Sequence, residues 1–242
     1  MKCKGRCVVN KKTIVLIPSY EPDNILITLV NNLSKENMEI VVVDDGSGLE
    51  YKNIFDKCEK KANVISYEKN EGKGYALKTG LKFIKDNYTE PYIIVTMDSD
   101  GQHTITDTKR LINEIKENEK ILILGKRTRN EKIPFRSKLG NSITKVIYKL
   151  TTGLDVYDTQ TGLRAFSNIL IDYLLEIEGN RFEYEMNVLL KCAIDKVKIK
   201  EVEISTIYIN NNSGTHFNAI KDSYRIYKDI IKNSIKYRKR KK

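Results

Sequence analysis

Continuous apolar runs alternate along the first half of the chain with segments whose apolar residues recur every three or four positions. The runs predict buried strands and the spaced segments predict amphipathic helices. The predicted strands are Thr13–Pro18, Glu39–Asp44, Val64–Tyr67, Tyr92–Met97 and Ile121–Leu124, and the predicted helices are Asp23–Leu33, Tyr51–Lys60, Lys73–Asn87 and Thr106–Asn118. This alternation is typical of an α/β fold with a mostly parallel sheet covered by helices.

The second half of the chain is less regular. We expect helices at Ser137–Leu150 and Phe182–Ile194, a strand at Leu163–Ser167, and either an antiparallel strand pair or one bent strand at Lys196–Ile209. From Phe217 onward, apolar residues recur at helical steps among Lys and Arg, which predicts a basic amphipathic C-terminal helix. Such a helix either packs on the protein body or lies on a membrane surface, and both alternatives stay open.

Charge is concentrated at the two ends of the chain. Of the net charge of +11, residues 217–242 carry +8 and residues 1–12 carry +5, so the body is close to neutral. This distribution argues against a nucleic-acid-binding face within the fold and favours a tail that contacts an anionic partner. Anionic lipid and nucleic acid both fit the charge of the tail, and a merely solubilising tail is the alternative. No apolar run reaches the roughly 18 residues that span a bilayer, so we expect a cytoplasmic protein. The 4 cysteines are too few for a disulfide framework and form no complete zinc site.

Polar, turn-forming residues follow three of the predicted strands. They are Pro18-Ser19-Tyr20, Asp44-Asp45-Gly46-Ser47 and Asp98-Ser99-Asp100. Any one of these segments is explained as an ordinary turn. Together they predict a ligand crevice, because parallel α/β sheets bind ligands at the carboxyl ends of their strands.

Asp98 and Asp100 are the candidate metal ligands. Two carboxylates at a strand end suit a hard cation, Mg²⁺ or Mn²⁺, that bridges phosphates, and they disfavour zinc. His103 is either a further ligand or an ordinary hydrogen-bonded histidine. Arg127 and Arg136 are candidate diphosphate-binding cations, with a solvated basic loop as the alternative.

Five ordered motifs resemble inverting family 2 glycosyltransferases of GT-A fold, and most closely the dolichyl- and polyprenyl-phosphate sugar synthases. The motifs are Ile17-Pro18-Ser19-Tyr20, Val43-Asp44-Asp45-Gly46-Ser47, Asn70-Glu71-Gly72-Lys73-Gly74, Asp98-Ser99-Asp100-Gly101-Gln102-His103 and Gln160-Thr161-Gly162-Leu163-Arg164. The resemblance covers residues 13–216, which implies a Rossmann-like transferase domain between a basic N-terminal extension, 1–12, and the basic helix 217–242.

The resemblance implies roles at the matching positions. Nucleotide and donor contacts would come from Pro18, Tyr20, Asp45, Lys73, Ser99, Arg127, Arg136 and His216, and the metal ligands would be Asp98, Asp100 and Gln102. Gln160, Gly162 and Arg164 fall where the family shapes the sugar and acceptor side.

Three features depart from the family pattern. Glu21-Pro22 replaces a common Asn-Glu, and His216 stands where Lys is common. Many of these synthases carry transmembrane helices after this domain, whereas this chain continues into the basic helix. We therefore expect peripheral attachment to the inner face of the cell membrane, directly or through a membrane partner protein.

The primary hypothesis is metal-dependent, inverting transfer of one sugar from a UDP- or GDP-linked donor to a polyprenyl phosphate. A lipid phosphate is already an anion and needs no strong general base. A first alternative is a sugar-hydroxyl acceptor in cell-envelope polysaccharide or glycolipid synthesis, for which Asp158, Glu183 and Glu185 are candidate bases. The two glutamates are equally explained as first-turn helix carboxylates. A second alternative, an inactive nucleotide-sugar binding module, is disfavoured by the intact Asp98 and Asp100 pair.

Overall fold

A seven-stranded mixed sheet forms the centre of the molecule. The computed structural model describes residues 12–89, 91–116, 119–127, 148–149, 152–153 and 155–205. The strands are β1 (Lys12–Ser19), β2 (Glu39–Asp44), β3 (Asn63–Ser66), β4 (Tyr92–Thr96), β5 (Ile121–Arg127), β6 (Arg164–Ser167) and β7 (Lys198–Ile204). Their order across the sheet is β3-β2-β1-β4-β6-β5-β7. Only β6 runs antiparallel to its neighbours, β4 and β5.

Helices cover both faces of this sheet. They are α1 (Ile25–Ser34), α2 (Lys52–Cys58), α3 (Lys73–Asn87), α4 (Ile105–Asn113), α5 (Ile171–Leu175) and α6 (Glu183–Ile194), with short 3₁₀ turns at Leu49–Tyr51 and Asn168–Leu170. One apolar core joins alternate strand residues to α3, α5 and α6, and the other joins the opposite residues to α1, α2 and α4. The central strands are buried on both faces, which explains their continuous apolar runs.

Helix α3 lies unusually close to the sheet at Gly80. A Cβ placed there would lie 2.2 Å from Leu16 Cδ1, so any larger residue would require the Leu16 side chain or the helix to shift. Helix α3 begins at Lys73 and packs against β1 and β2. This packing determines where the Lys73 side chain lies.

The chain reverses its direction across the sheet between β1 and β4. The connections from β1 lead outward through β2 to β3, and β4 then returns to the other side of β1. In open α/β sheets this reversal opens a crevice at the carboxyl ends of the two strands. The segments after Ser19 and Thr96 lie at this crevice.

The predicted fold class is confirmed, and most elements agree closely with the sequence pattern. Helix α3 has the predicted bounds, while α4 ends at Asn113 instead of Asn118 and β5 continues to Arg127 instead of Leu124. The antiparallel pair considered for Lys196–Ile209 is wrong within the described residues, which form the single strand β7 parallel to β5. The predicted helix Ser137–Leu150, apart from 148–149, and the predicted C-terminal helix lie outside the described residues.

In the part of the chain that the structure describes, no helix combines the length and apolar character needed to cross a membrane.

Candidate active site

The candidate metal-binding carboxylates lie immediately beyond β4. Met97 is buried and its backbone N–H donates to Leu16 O, which extends the contact with β1 by one residue. The chain then turns through Asp98, Ser99 and Asp100, all partly exposed. The Gln102 N–H donates to Asp100 Oδ1 at 3.0 Å, so the turn folds Gln102 back toward that carboxylate.

Lys73, the first residue of α3, joins two acidic groups from distant parts of the chain. Its Nζ lies 2.7 Å from Asp98 Oδ1 and 2.8 Å from Glu185 Oε2. Burial opposes the charged form of Lys73, but the two carboxylates outweigh it and raise the pKa of the ammonium. The resemblance placed Lys73 near the nucleotide and did not anticipate this pair of carboxylate partners.

The two aspartates have pKa values shifted in opposite directions. Burial opposes ionisation of Asp98, but Lys73 and the nearby His103 outweigh it and hold the pKa of this carboxyl well below its usual range. Burial and the negative charge of Asp98 raise the pKa of Asp100. His103 Nε2 lies 3.8 Å from Asp98 Oδ2, and within the described chain its buried Nδ1 has no hydrogen-bond partner. Groups with such opposed shifts in a cleft are typical of functional sites.

The Gln160–Arg164 motif packs against these carboxylates because β6 pairs with β4. Thr96 Oγ1 donates to Gly162 O at 3.1 Å, and Gly162 lies directly against the Asp98 carboxylate. Arg164 is buried, and its guanidinium donates to Thr161 O at 3.0 Å and to the backbone carbonyl of Glu185 at 2.9 Å. Thus Gly162 and Arg164, predicted for the acceptor side, border the metal-binding candidates.

The oxygen ligands present fit a magnesium or manganese ion that is shared with a diphosphate. Within the described residues, no group of three or more His, Cys, Asp and Glu side chains forms a complete metal cage. Mg²⁺ is usually held by one or two protein carboxylates together with substrate phosphates and water. Asp98, Asp100 and the Gln102 amide match this incomplete, oxygen-only set.

Asp45 anchors the loop that leads into α3. Its carboxylate accepts hydrogen bonds from Tyr67 Oη at 2.7 Å, Asn70 Nδ2 at 3.0 Å, Glu71 N at 2.9 Å and Gly72 N at 2.9 Å. Four donors from the chain itself thus engage this carboxylate, which the resemblance placed among the nucleotide and donor contacts. Tyr67 and Asn70 were not predicted in this role from the sequence, although the Tyr at a strand end and the Asn-Glu-Gly turn are signals that could indicate it.

The other nucleotide-side candidates lie at the end of β1. Pro18 is buried and pairs in register with Val43 of β2, and Tyr20 follows at the strand end, partly exposed. Glu21 has a left-handed backbone with φ of 48°, and its N–H donates to Ser47 Oγ at 2.9 Å. The departure at Glu21 thus falls in a turn that joins two of the motifs.

Arg127 and Asp158 form a pair at the end of β5. Arg127 Nε lies 2.6 Å from Asp158 Oδ2, and its Nη2 lies 2.9 Å from Oδ1, a two-point contact that fixes the guanidinium plane. The Gln160 N–H also donates to Asp158 Oδ1, at 3.3 Å.

The remaining candidate base, Glu183, is the first residue of α6. Its carboxylate accepts hydrogen bonds from the backbone N–H groups of Asn180 and Arg181, both at 3.0 Å. Arg136 and His216 lie outside the described residues.

The mixed α/β sheet flanked by helices is a fold of the GT-A type. A family model described as Glycosyl transferase family 2 matches residues 14–174. The chain therefore belongs to glycosyl transferase family 2, and it is a glycosyltransferase.

Several relatives and solved structures resemble the chain over most of its length. It is 33% identical over 222 residues to the UDP-N-acetylglucosamine–dolichyl-phosphate N-acetylglucosaminyltransferase of Methanococcus voltae, covering 83% of this chain and 88% of that protein. It is 27% identical to the dolichyl-phosphate β-glucosyltransferase of Saccharomyces cerevisiae, covering 90% and 72%. Glucosyl-3-phosphoglycerate synthase of Mycobacterium tuberculosis, solved with Mn²⁺, UDP and glucosyl-3-phosphoglycerate, superposes with a TM-score of 0.67 at 17% identity, covering 94% of this chain and 80% of that chain.

Proposed function

We propose that this enzyme transfers one sugar from a nucleoside diphosphate donor to a polyprenyl phosphate, with inversion at the anomeric carbon. The single observation that carries the proposal is that each candidate base is already engaged. Asp158 pairs with Arg127, Glu185 pairs with Lys73, and Glu183 accepts two backbone N–H groups. A phosphate acceptor requires no such base, whereas a neutral sugar hydroxyl does. The activities named for the two dolichyl-phosphate relatives agree with this acceptor.

On the donor side, Asp98, Asp100 and Gln102 would hold Mg²⁺ or Mn²⁺ against the diphosphate. The ion would neutralise the charge that develops on the leaving nucleoside diphosphate. Arg127 and Arg136 would bind phosphate oxygens, with His216 as a further contact. Asp158 supports this role for Arg127 by fixing the orientation of its guanidinium.

The nucleoside would lie at the carboxyl end of β1. Pro18 and Tyr20 would line it, and Ser99 would border the diphosphate from the turn after β4. Asp45 would support the base through the loop that it anchors, and Lys73 would contribute positive charge beside the donor. UDP-linked sugars are the first donors to test, because UDP is named both for the Methanococcus relative and for the superposed synthase.

On the acceptor side, Gln160, Gly162 and Arg164 would shape the space next to the transferred sugar. The pairing of β6 with β4 supports this role, because it brings the motif that contains these residues against Asp98. The basic segment 217–242 would attach the enzyme peripherally to the anionic inner face of the membrane, alone or with a membrane partner protein. Deleting residues 224–242 should then reduce sedimentation with anionic liposomes, and unchanged sedimentation would contradict the attachment.

The decisive experiment is a product assay by mass spectrometry. Purified protein with Mn²⁺ or Mg²⁺ and a panel of UDP- and GDP-sugars is incubated with a polyprenyl phosphate, with a sugar-hydroxyl acceptor, or with neither. We expect a lipid-phosphate sugar from one donor, and no product from Asp100→Asn, with exposed Asp86→Asn as the matched control. Product only with a sugar-hydroxyl acceptor would instead support polysaccharide or glycolipid synthesis. Donor binding without turnover of any acceptor would support a binding module.

A further inference from the structure

We infer that Glu185 is a positioning residue that shares the Lys73 ammonium with Asp98 and so keeps the Asp98 carboxylate available to a metal ion. This inference rests on the metal-dependent transfer proposed above and gives Glu185 a role other than that of a base. The structural basis is a series of alternating charges, in which Lys73 Nζ lies 2.8 Å from Glu185 Oε2 and 2.7 Å from Asp98 Oδ1.

The three charged side chains become less exposed to solvent with increasing distance from the crevice. The side chain of Asp98 is 30% exposed, that of Lys73 17% and that of Glu185 11%. Ion pairs shielded from water are stronger than surface pairs and restrict side-chain motion more. Glu185 is therefore the inner anchor of this series of charges, and Asp98 is its end at the crevice.

Arg164 fixes the inner anchor from the other side. It donates to the backbone carbonyl of Glu185 at 2.9 Å, and its Nε lies 3.7 Å from Glu185 Oε1. Each carboxylate oxygen of Glu185 therefore already faces a cation. This arrangement suits a fixed counter-charge, whereas a base must present an oxygen to the acceptor hydroxyl.

The consequence for the metal site follows from the charge balance on Lys73. With Glu185 ionised, Lys73 is shared between two carboxylates, and its hold on Asp98 is moderated. Without that charge, the full attraction of Lys73 falls on Asp98, where it competes with a divalent cation. Losing a group that orients a metal ligand typically costs 10- to 100-fold in metal affinity, so we expect Glu185→Gln to weaken Mn²⁺ binding about tenfold.

The test measures Mn²⁺ binding directly. Free Mn²⁺ is followed by electron paramagnetic resonance while Mn²⁺ is titrated into full-length protein with saturating UDP. For Glu185→Gln we expect about tenfold weaker binding, with kcat at saturating Mn²⁺ reduced less than tenfold. The matched control is Glu176→Gln, an exposed glutamate just after α5, which should bind Mn²⁺ like the wild type. Unchanged Mn²⁺ affinity with kcat reduced 100-fold or more would overturn the inference and identify Glu185 as a base.

A double-mutant cycle tests whether the effect passes through Lys73. In a Lys73→Met background, Glu185→Gln should change Mn²⁺ affinity by less than about twofold, because the connecting cation is gone. Lys82→Met, at an exposed position of the same helix, controls for losing a lysine from α3. An equal effect of Glu185→Gln in both backgrounds would overturn the proposed route. Because the readout is Mn²⁺ binding, a failed lipid-transfer assay would disprove the proposed acceptor and leave this result standing.

Discussion

The carboxylate of Asp98 lies directly against the Cα of Gly162, so close that a Cβ on Gly162 would be 2.1 Å from Asp98 Oδ2. The φ of Gly162 is not positive, so its backbone conformation does not require glycine. Glycine is needed here because there is no space for a Cβ. Two motifs far apart in sequence thus meet at one contact, and the pairing of β6 with β4 brings them together.

Gly162→Ala should displace Asp98 and impair the metal site without unfolding the protein. We expect Mn²⁺ affinity in the presence of UDP to fall tenfold or more, because the new methyl group occupies the place of a ligand. Electron paramagnetic resonance titration gives the affinity, and thermal unfolding reports on the fold. The control is Gly153→Ala, which adds a Cβ in open space at a φ of 76°. It should lower stability slightly and leave Mn²⁺ binding intact, whereas wild-type binding by Gly162→Ala would contradict the predicted crowding.

Asp45→Asn should weaken binding of UDP and GDP by the same factor. The Asn amide group cannot accept all the hydrogen bonds from Tyr67, Asn70, Glu71 and Gly72, so the loop loses an anchor at a cost of about 1–3 kcal/mol. Calorimetric titration of both nucleotides measures the effect. A change in the ratio of the two affinities would show instead that Asp45 reads the base.

Tyr67→Phe is the matched control for this substitution. It removes one donor to Asp45 and keeps the carboxylate and the other three partners. We expect a smaller loss of affinity, again equal for the two nucleotides.

The strand runs and their polar ends could be predicted because the central strands are buried on both faces. β1, β2 and β4 therefore appear as unbroken apolar segments, and parallel pairing brings their ends to one edge. The antiparallel direction of β6 was not predictable from its four residues, since a short apolar segment carries no information about its partner.

Which charge pairs with which could not be derived from sequence. Lys73 begins α3, which precedes β4 in the sequence, whereas Glu185 lies in the first turn of α6, which follows β6. Their contact depends on how α3 and α6 pack in one core. The hydrogen bonds of Asp45 could not be derived from sequence either. Its motif predicted a nucleotide contact, and in the structure its carboxylate accepts hydrogen bonds from Tyr67 and from the loop that leads into α3. The motifs indicated candidate site residues, and tertiary packing determines which of them contact one another.

The two described cysteines should be unreactive in the folded protein. Burial raises the pKa of Cys58 to about 11 and is the leading cause that raises the pKa of Cys192 to about 12, and only a thiolate is a good nucleophile. In a Cys3→Ser/Cys7→Ser variant, an aromatic disulfide reagent at pH 8 should label no thiol under native conditions and two after unfolding in urea. Rapid native labelling of either cysteine would contradict the burial.

Asp158→Ala should destabilise the protein by about 3 kcal/mol, because it leaves the Arg127 guanidinium without its main carboxylate partner. The Asp158 side chain is 2% exposed and that of Arg127 is 25% exposed, so we expect the low end of the range for breaking buried pairs. Urea unfolding followed by circular dichroism measures the change. If Asp158 were a base, Asp158→Asn would abolish turnover with little effect on stability.

The nearby pair of Asp155 and Lys149 provides the control. Their side chains are 53% and 58% exposed, so solvent screens the interaction, and Asp155→Ala should change stability by less than about 1 kcal/mol. Comparing the two variants shows how much of the stability loss depends on burial of the ion pair and how much on its presence alone. Equal losses in both variants would mean that the Arg127 contact stabilises the fold no more than a surface pair, and Asp158 would then return as a candidate base.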